Sequence, residues 1–253
     1  MSAEELVLAR PPAIRGRSKN VWALGGGECL VQLVPTLRSF TSARDEVVPR
    51  TEVLRLDFYE LAAERLASAG VATVFRERLG PDLYRAAFRP HPPIEVIVKN
   101  AAYGSTLRNY PGLFPEGFRF ERPVVKFDVR LEPEDVAIAD DYVRELGLRV
   151  EEVKALALAV NDELRPWLAP REVIDFCLVV GADGDGYTVV SEISPDCMRI
   201  RSADGAAWDK DLFRAGEPTE RVVERWQELV DDLRAAQPLS AGALVHKRGG
   251  PGR

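Results

Sequence analysis

Asp175-Phe176-Cys177-Leu178-Val179-Val180-Gly181, then Asp183-Gly184-Asp185-Gly186, then Tyr187 to Ile193 reads as a mostly apolar strand, a tight turn and a returning strand. Ser191-Glu192-Ile193-Ser194-Pro195-Asp196-Cys197-Met198-Arg199 closes this unit and places two carboxylates and an arginine close together. Glu192 and Asp196 are expected at or just past a strand end, where a rigid sheet can hold charge in a cleft. Trp208-Asp209-Lys210-Asp211-Leu212-Phe213-Arg214 follows as a second dense polar cluster. Two readings stand side by side. One is an active site assembled from both clusters; the other is ordinary Ser-Pro-Asp turn chemistry with a surface ion pair of little energetic weight.

Working outward, Ala13 to Leu33 reads as short strands, with Gly25-Gly26-Gly27 as a turn. Glu52 to Ser68 reads as an amphipathic helix burying Val53, Leu56, Tyr59, Leu61, Ala63 and Leu66, and ended by Gly70. Val71 to Leu79 and Ile94 to Asn100 read as strands, the second apolar enough to be central. Glu151 to about Arg165 is a helix whose apolar face is Val153, Leu156, Leu158, Val160 and Leu164, stopping before Pro166. A third helix runs from about Pro218 to Ala236, with Val222, Trp226, Leu229, Val230 and Leu233 at helical spacing. A β-rich beginning followed by mixed strands and helices indicates an α+β fold with two lobes, and ligands tend to bind between lobes.

The chain has 253 residues, 46% hydrophobic and 29% charged, in the range of an ordinary soluble globular protein with a substantial core. A net charge of −6 argues against nonspecific nucleic-acid binding, which needs a basic surface. Cys29, Cys177 and Cys197 are widely spaced and odd in number, so neither a disulfide framework nor a Cys-x-x-Cys metal site is indicated. With only His91 and His246, a histidine-rich metal site or a Ser-His-Asp triad is not expected. No apolar run reaches membrane-spanning length and the N-terminus is acidic, so a cytoplasmic location without membrane contact is expected.

Two further segments carry chemistry. Ile14-Arg15-Gly16-Arg17-Ser18-Lys19 combines a glycine with cations able to neutralise phosphates, or is simply a basic hairpin turn. Lys99-Asn100-Ala101-Ala102-Tyr103-Gly104-Ser105 ends the central strand with donors suited to an anion cradle, or is a strand-to-helix turn capped by Ser105.

Taken together, Gly16-Arg17-Ser18-Lys19, Lys99-Asn100 with Gly104-Ser105, Asp175-Phe176, Glu192-Ile193-Ser194-Pro195-Asp196 with Arg199, and Asp209 to Arg214 resemble the SAICAR synthetase family over about Ala13 to Leu233. The resemblance implies a two-lobed, ATP-grasp-like fold: an N-terminal extension (1–12), a β-rich nucleotide lobe (13–98), an α+β substrate lobe (99–236) and a flexible tail (237–253). It implies an ATP-dependent ligase that joins a ribotide-like carboxylate to an amino acid amine through an acyl phosphate, with Mg²⁺, and with a homodimer as an allowed assembly. Arg17, Lys19 and Asp175 would serve ATP. Lys99, Asn100, Gly104, Ser105, Arg199 and Arg214 would bind the carboxylate substrate, and Glu192, Asp196, Lys210 and Asp211 would line the reaction centre. Glu192 would also be the remaining candidate for the metal. The chain departs from the family pattern where Val179 and Ser191 replace two acids that look like Mg²⁺ ligands, where Thr51-Glu52 replaces Lys-Gly, and where Lys99 replaces an arginine. These departures imply a divergent member, one recruited to specialised nucleoside chemistry or a ribotide binder that has lost Mg-ATP chemistry.

Overall fold

The computed structural model describes residues 9–39, 41–131 and 134–236. The expected tail, 237–253, and most of the expected N-terminal extension lie outside the described residues. Two five-stranded antiparallel sheets form the frame. The first contains β1 (Ile14–Arg15), β2 (Lys19–Gly25), β3 (Glu28–Leu33), β6 (Phe75–Arg78) and β7 (Leu83–Ala87), in the order β1-β2-β3-β7-β6. The second contains β8 (Ile94–Ala101), β9 (Arg119–Val129), β10 (Val136–Ile138), β11 (Glu172–Leu178) and β14 (Met198–Arg201), in the order β10-β9-β8-β11-β14. Two hairpins stand apart, β4 (Thr36–Ser39) with β5 (Arg44–Val47) and β12 (Val180–Asp183) with β13 (Gly186–Val189). The β2–β3 turn needs its glycines, because Gly25, Gly26 and Gly27 all have positive φ.

Six helices complete the described chain: α1 (Thr51–Ser68), α2 (Ser105–Asn109), α3 (Asp140–Glu145), α4 (Val150–Leu168), α5 (Asp211–Arg214) and α6 (Thr219–Ala236). Helix α1 departs from the expected amphipathic pattern. Leu54 to Tyr59 are all buried, with Val53 only partly so, because α1 packs on α4, α6 and strands of the first sheet at once. Helix α4 runs on through Pro166 to Leu168. Its fully buried Leu164 and Leu168 anchor the last turn, so the single backbone donor that proline lacks does not end the helix there. Helix α6 presents Val222, Trp226, Leu229 and Leu233 to the core at the expected spacing. Among the described residues no helix is long and apolar enough to cross a membrane.

The hairpin read from sequence is present, with its turn between Asp183 and Gly186. Its first strand is divided, however. Glu172–Leu178 belongs to the second sheet, the ladder breaks at Val179, and Val180–Asp183 pairs only with β13. The return is also shorter, leaving residues 190–197 as a loop that carries Ser191, Glu192 and Asp196 between the sheets. Strand β8 spans the expected division at 98/99 and lies wholly in the second sheet, so the change of sheet falls in the 88–93 segment.

Candidate active site

Strand register builds the first half of the site. Asp175 on β11 faces Lys99 on β8 and Arg199 on β14, so three charges stand in one row across three strands. Lys99 Nζ lies 2.9 Å from Asp175 Oδ2, and Arg199 Nη1 donates to both Asp175 oxygens at 3.0 and 2.8 Å. Arg199 Nε also reaches Asp211 Oδ2 at 3.0 Å. The guanidinium passes over the loop after β8 at Gly104, where a Cβ would lie 2.6 Å from Nη2 and where φ is +57°. Gly104 therefore satisfies a backbone shape and a close approach together. Burial opposes the Arg199 charge, but Asp175 and Asp211 outweigh it and hold the guanidinium firmly protonated. The alternative reading, a surface ion pair after the Ser-Pro-Asp turn, does not describe Arg199, which pairs with Asp175 and Asp211 while Asp196 pairs with Lys210.

The second polar cluster locks onto this row. Asp209 is fully buried and accepts Ile200 N–H at 2.6 Å and Asp211 N–H at 2.7 Å, fastening α5 to β14. Burial, followed by the neighbouring Asp211 carboxylate, pushes the Asp209 carboxyl up to about 6. Burial also acts on Asp211, yet Arg199 and Arg214 outweigh it and hold that carboxyl at about 2. Asp211 accepts from Arg214 at 2.6 Å and also contacts Arg201. A carboxylate surrounded by three guanidinium groups orients those cations and is poorly placed to act as a base.

The 190–197 loop forms the other half. Its shape is fixed by Cys197 N–H on Ser194 O at 3.0 Å and Cys177 N–H on Cys197 O at 2.9 Å. Glu192, 7% exposed, accepts Lys19 Nζ on Oε2 at 2.8 Å and Arg55 Nη2 on Oε1. Burial works against the Glu192 charge, but Lys19 and Arg55 prevail and hold its carboxyl far below the usual range. Asp196 lies 2.8 Å from Lys210 Nζ, and its carboxyl is likewise lowered, with Lys210 and Arg55 outweighing burial. Cys177 and Cys197 are pushed up by burial, Cys197 to about 12, which makes both poor nucleophiles.

These groups share a cleft of about 390 Å³, whose lining includes Ser18, Lys19, Glu192, Ser105, Arg199, Lys210 and Arg214. Asp196 also lines it, and Lys99 and Asp175 stand in an adjoining recess with Ser105 and Arg199. Asp175, expected near ATP, is thus grouped with the substrate residues. Asn100, expected among the substrate residues, lies outside this cleft lining: its Nδ2 donates to Asn161 Oδ1 at 2.8 Å and Val173 O at 2.9 Å. Arg17 is exposed and outside the cleft lining; its carbonyl accepts the Thr36 hydroxyl, while the Gly16 N–H to Lys19 O bond of 2.9 Å closes the turn that presents Lys19.

Sequence reasoning missed Arg55, which is fully buried on α1. It also missed Glu95 and Asp128, which face each other across β8 and β9 at the cleft. Burial raises the Glu95 carboxyl, helped by Asp135, while Lys126 lies 2.5 Å from Asp128. A lone acid within Ile94-Glu95-Val96-Ile97-Val98 was the available signal for Glu95.

Mg²⁺ does not fit the donors present. Val179 offers no oxygen in its side chain, and its N–H donates to Ser191 Oγ at 3.0 Å, occupying that hydroxyl. Both Glu192 oxygens already hold cations, and Asp196 is paired with Lys210. Among the described residues no three His, Cys, Asp or Glu side chains gather as a metal site.

The sequence profile of the SAICAR synthetase family matches residues 12–233. The phosphoribosylaminoimidazole-succinocarboxamide synthase of Methanocaldococcus jannaschii is 31% identical over 219 residues, covering 83% of this chain and 90% of that protein. Its Streptococcus pneumoniae counterpart is 32% identical over 228 residues, covering 85% and 96%. Among solved structures, a type-2 SAICAR synthetase in complex with ADP superposes with a TM-score of 0.81 at 24% identity, covering 89% of this chain and 98% of that one, a likeness of fold. The chain belongs to the SAICAR synthetase family.

Proposed function

We propose that this chain is an ATP-dependent carbon–nitrogen ligase that joins a ribotide-like heterocyclic carboxylate to an amino acid amine. The observation that carries this reading is the cleft that Lys19, Ser105, Arg199, Lys210 and Arg214 line together. A carboxylate is a poor electrophile, so phosphoryl transfer from ATP would convert it to an acyl phosphate, and attack by the amine would expel phosphate and form the amide. The protein's task is to hold several anions in line and screen their repulsion. Lys19 would meet the nucleotide phosphates. Arg199, with Ser105 and Arg214, would hold the ribotide phosphate, and Asp175 would aim Arg199 with Lys99. Lys210, anchored by Asp196, would face the reacting carboxylate. Any Mg²⁺ would travel with the nucleotide, because among the described residues no three His, Cys, Asp or Glu side chains gather as a metal site.

One feature favours a second reading, a ribotide-binding homologue without ligase chemistry: Val179 and Ser191 stand where the resemblance implies metal-ligating acids. Offering purified protein ATP, aminoimidazole and pyrazole carboxylate ribotides and a panel of amino acids separates the two. ADP and amide appearing together support the ligase, and aspartate as the preferred amine would point to the purine pathway over specialised nucleoside synthesis. Ribotide binding with neither product supports the second reading.

A further inference from the structure

We propose that Arg55 is a built-in counter-cation of the cleft: with Lys19 it neutralises Glu192 where a divalent metal would otherwise sit, so the protein binds its anionic ligands without a protein-held Mg²⁺. The proposal shares the cleft of the ligase reading but does not depend on turnover. Arg55 is fully buried, and although its Nε lacks a hydrogen-bond partner, a buried guanidinium persists only opposite a counter-charge. Its Nη2 contacts Glu192 Oε1, and Nη1 reaches Val34 O at 3.3 Å. Lys19 takes the other Glu192 oxygen at 2.8 Å. Neither oxygen is left for a metal, and an incoming dication would meet a fixed positive charge that α1 holds in place.

The other groups of the 190–197 loop agree. Asp196 has Lys210 at 2.8 Å, so the two carboxylates of the loop already face three cations. Val179 and Ser191, joined by their 3.0 Å bond beside Glu192 in the cleft lining, add no further negative charge. A hard cation such as Mg²⁺ needs several oxygens and charge compensation, and this loop supplies neither. Charge balance without a metal also explains how Glu192 remains ionised though buried.

Titration with Mn²⁺ alone, followed by electron paramagnetic resonance, reads this directly. The wild type is expected to show no saturable site in the millimolar range. Val179→Glu with Ser191→Asp restores two carboxylates but keeps Arg55; adding Arg55→Gln to that pair is expected to tighten Mn²⁺ binding by about tenfold or more. Saturable wild-type binding that disappears in Glu192→Gln overturns the proposal, and so does equal Mn²⁺ affinity in the double and triple variants. Should the triple variant not fold, the wild-type titration still decides. ADP binding by calorimetry, in EDTA and in Mg²⁺, tests the ligase reading separately. No ADP binding in either condition sinks the ligase reading, while the Mn²⁺ titration still judges this one.

Discussion

Replacing Arg199 by alanine removes a side chain that is 18% exposed and that bridges Asp175 and Asp211. Asp175 keeps Lys99 at 2.9 Å, and Asp211 keeps Arg214 at 2.6 Å together with Arg201. No carboxylate is left without a cation, so the folding cost should stay near about 1–2 kcal/mol, well below that of orphaning a buried charge. Ligand binding should suffer more. A charge-assisted, two-pronged contact to a phosphate is worth about 1.5–3 kcal/mol, or roughly ten- to a hundredfold in affinity. The assay is calorimetry with an aminoimidazole carboxylate ribotide and, in parallel, its dephosphorylated nucleoside. Arg199→Ala should weaken the ribotide by that factor and leave the nucleoside nearly unchanged. Arg199→Lys should fall between, because it keeps the charge but loses the fork. A loss of equal size for both ligands, or no loss for either in a folded variant, would refute the assignment of Arg199 to the phosphate.

Gly104→Ala places a Cβ 2.6 Å from the Arg199 guanidinium at a φ of +57°, so ribotide affinity should fall by about tenfold with a stability loss of about 1–3 kcal/mol; unchanged binding in calorimetry would mean that the guanidinium moves freely. Glu192→Gln leaves the fully buried Arg55 without its counter-charge and should cost about 3–5 kcal/mol, seen as a fall of roughly 10 °C in melting temperature, whereas Arg55→Met with Glu192→Gln should recover part of it. The Glu192 carboxyl is lowered in the folded state, so its contribution is present above the unfolded value of about 4.3 and is lost as pH falls below it. Urea titrations between about pH 6 and 3 should therefore show a shallower acid loss for Glu192→Gln than for wild type. Asp209 has the opposite sign: with its carboxyl raised to about 6, its charged form weakens the fold as pH rises from about 4 to 6, and Asp209→Asn should remove that trend over the same range.

What the sequence disclosed depends on whether a residue's environment is set locally. Helix α6 was legible because Val222, Trp226, Leu229 and Leu233 repeat at one helical face that packs on a single side. Helix α1 was legible as a helix but not in its burial, since neighbours on several sides erase the amphipathic stripe. The break at Val179 was hidden because the apolar run continues across it, and only the switch of partners from the second sheet to β13 divides the strand. Asn100 was harder to place, because the β8–β9 register shifts between Lys99 and Ala101 and simple alternation does not govern that point. Arg55 offered no such clue. Its partner Glu192 lies 137 positions away, and Lys19 lies 173 positions from the same carboxylate. Arg55, taken singly, lies off the apolar face read for its helix. A buried guanidinium is tolerable only opposite its carboxylate, so the chemistry of this cleft emerges when the turn before β2, helix α1 and the 190–197 loop converge, and none of the three segments contains the reason for the other two.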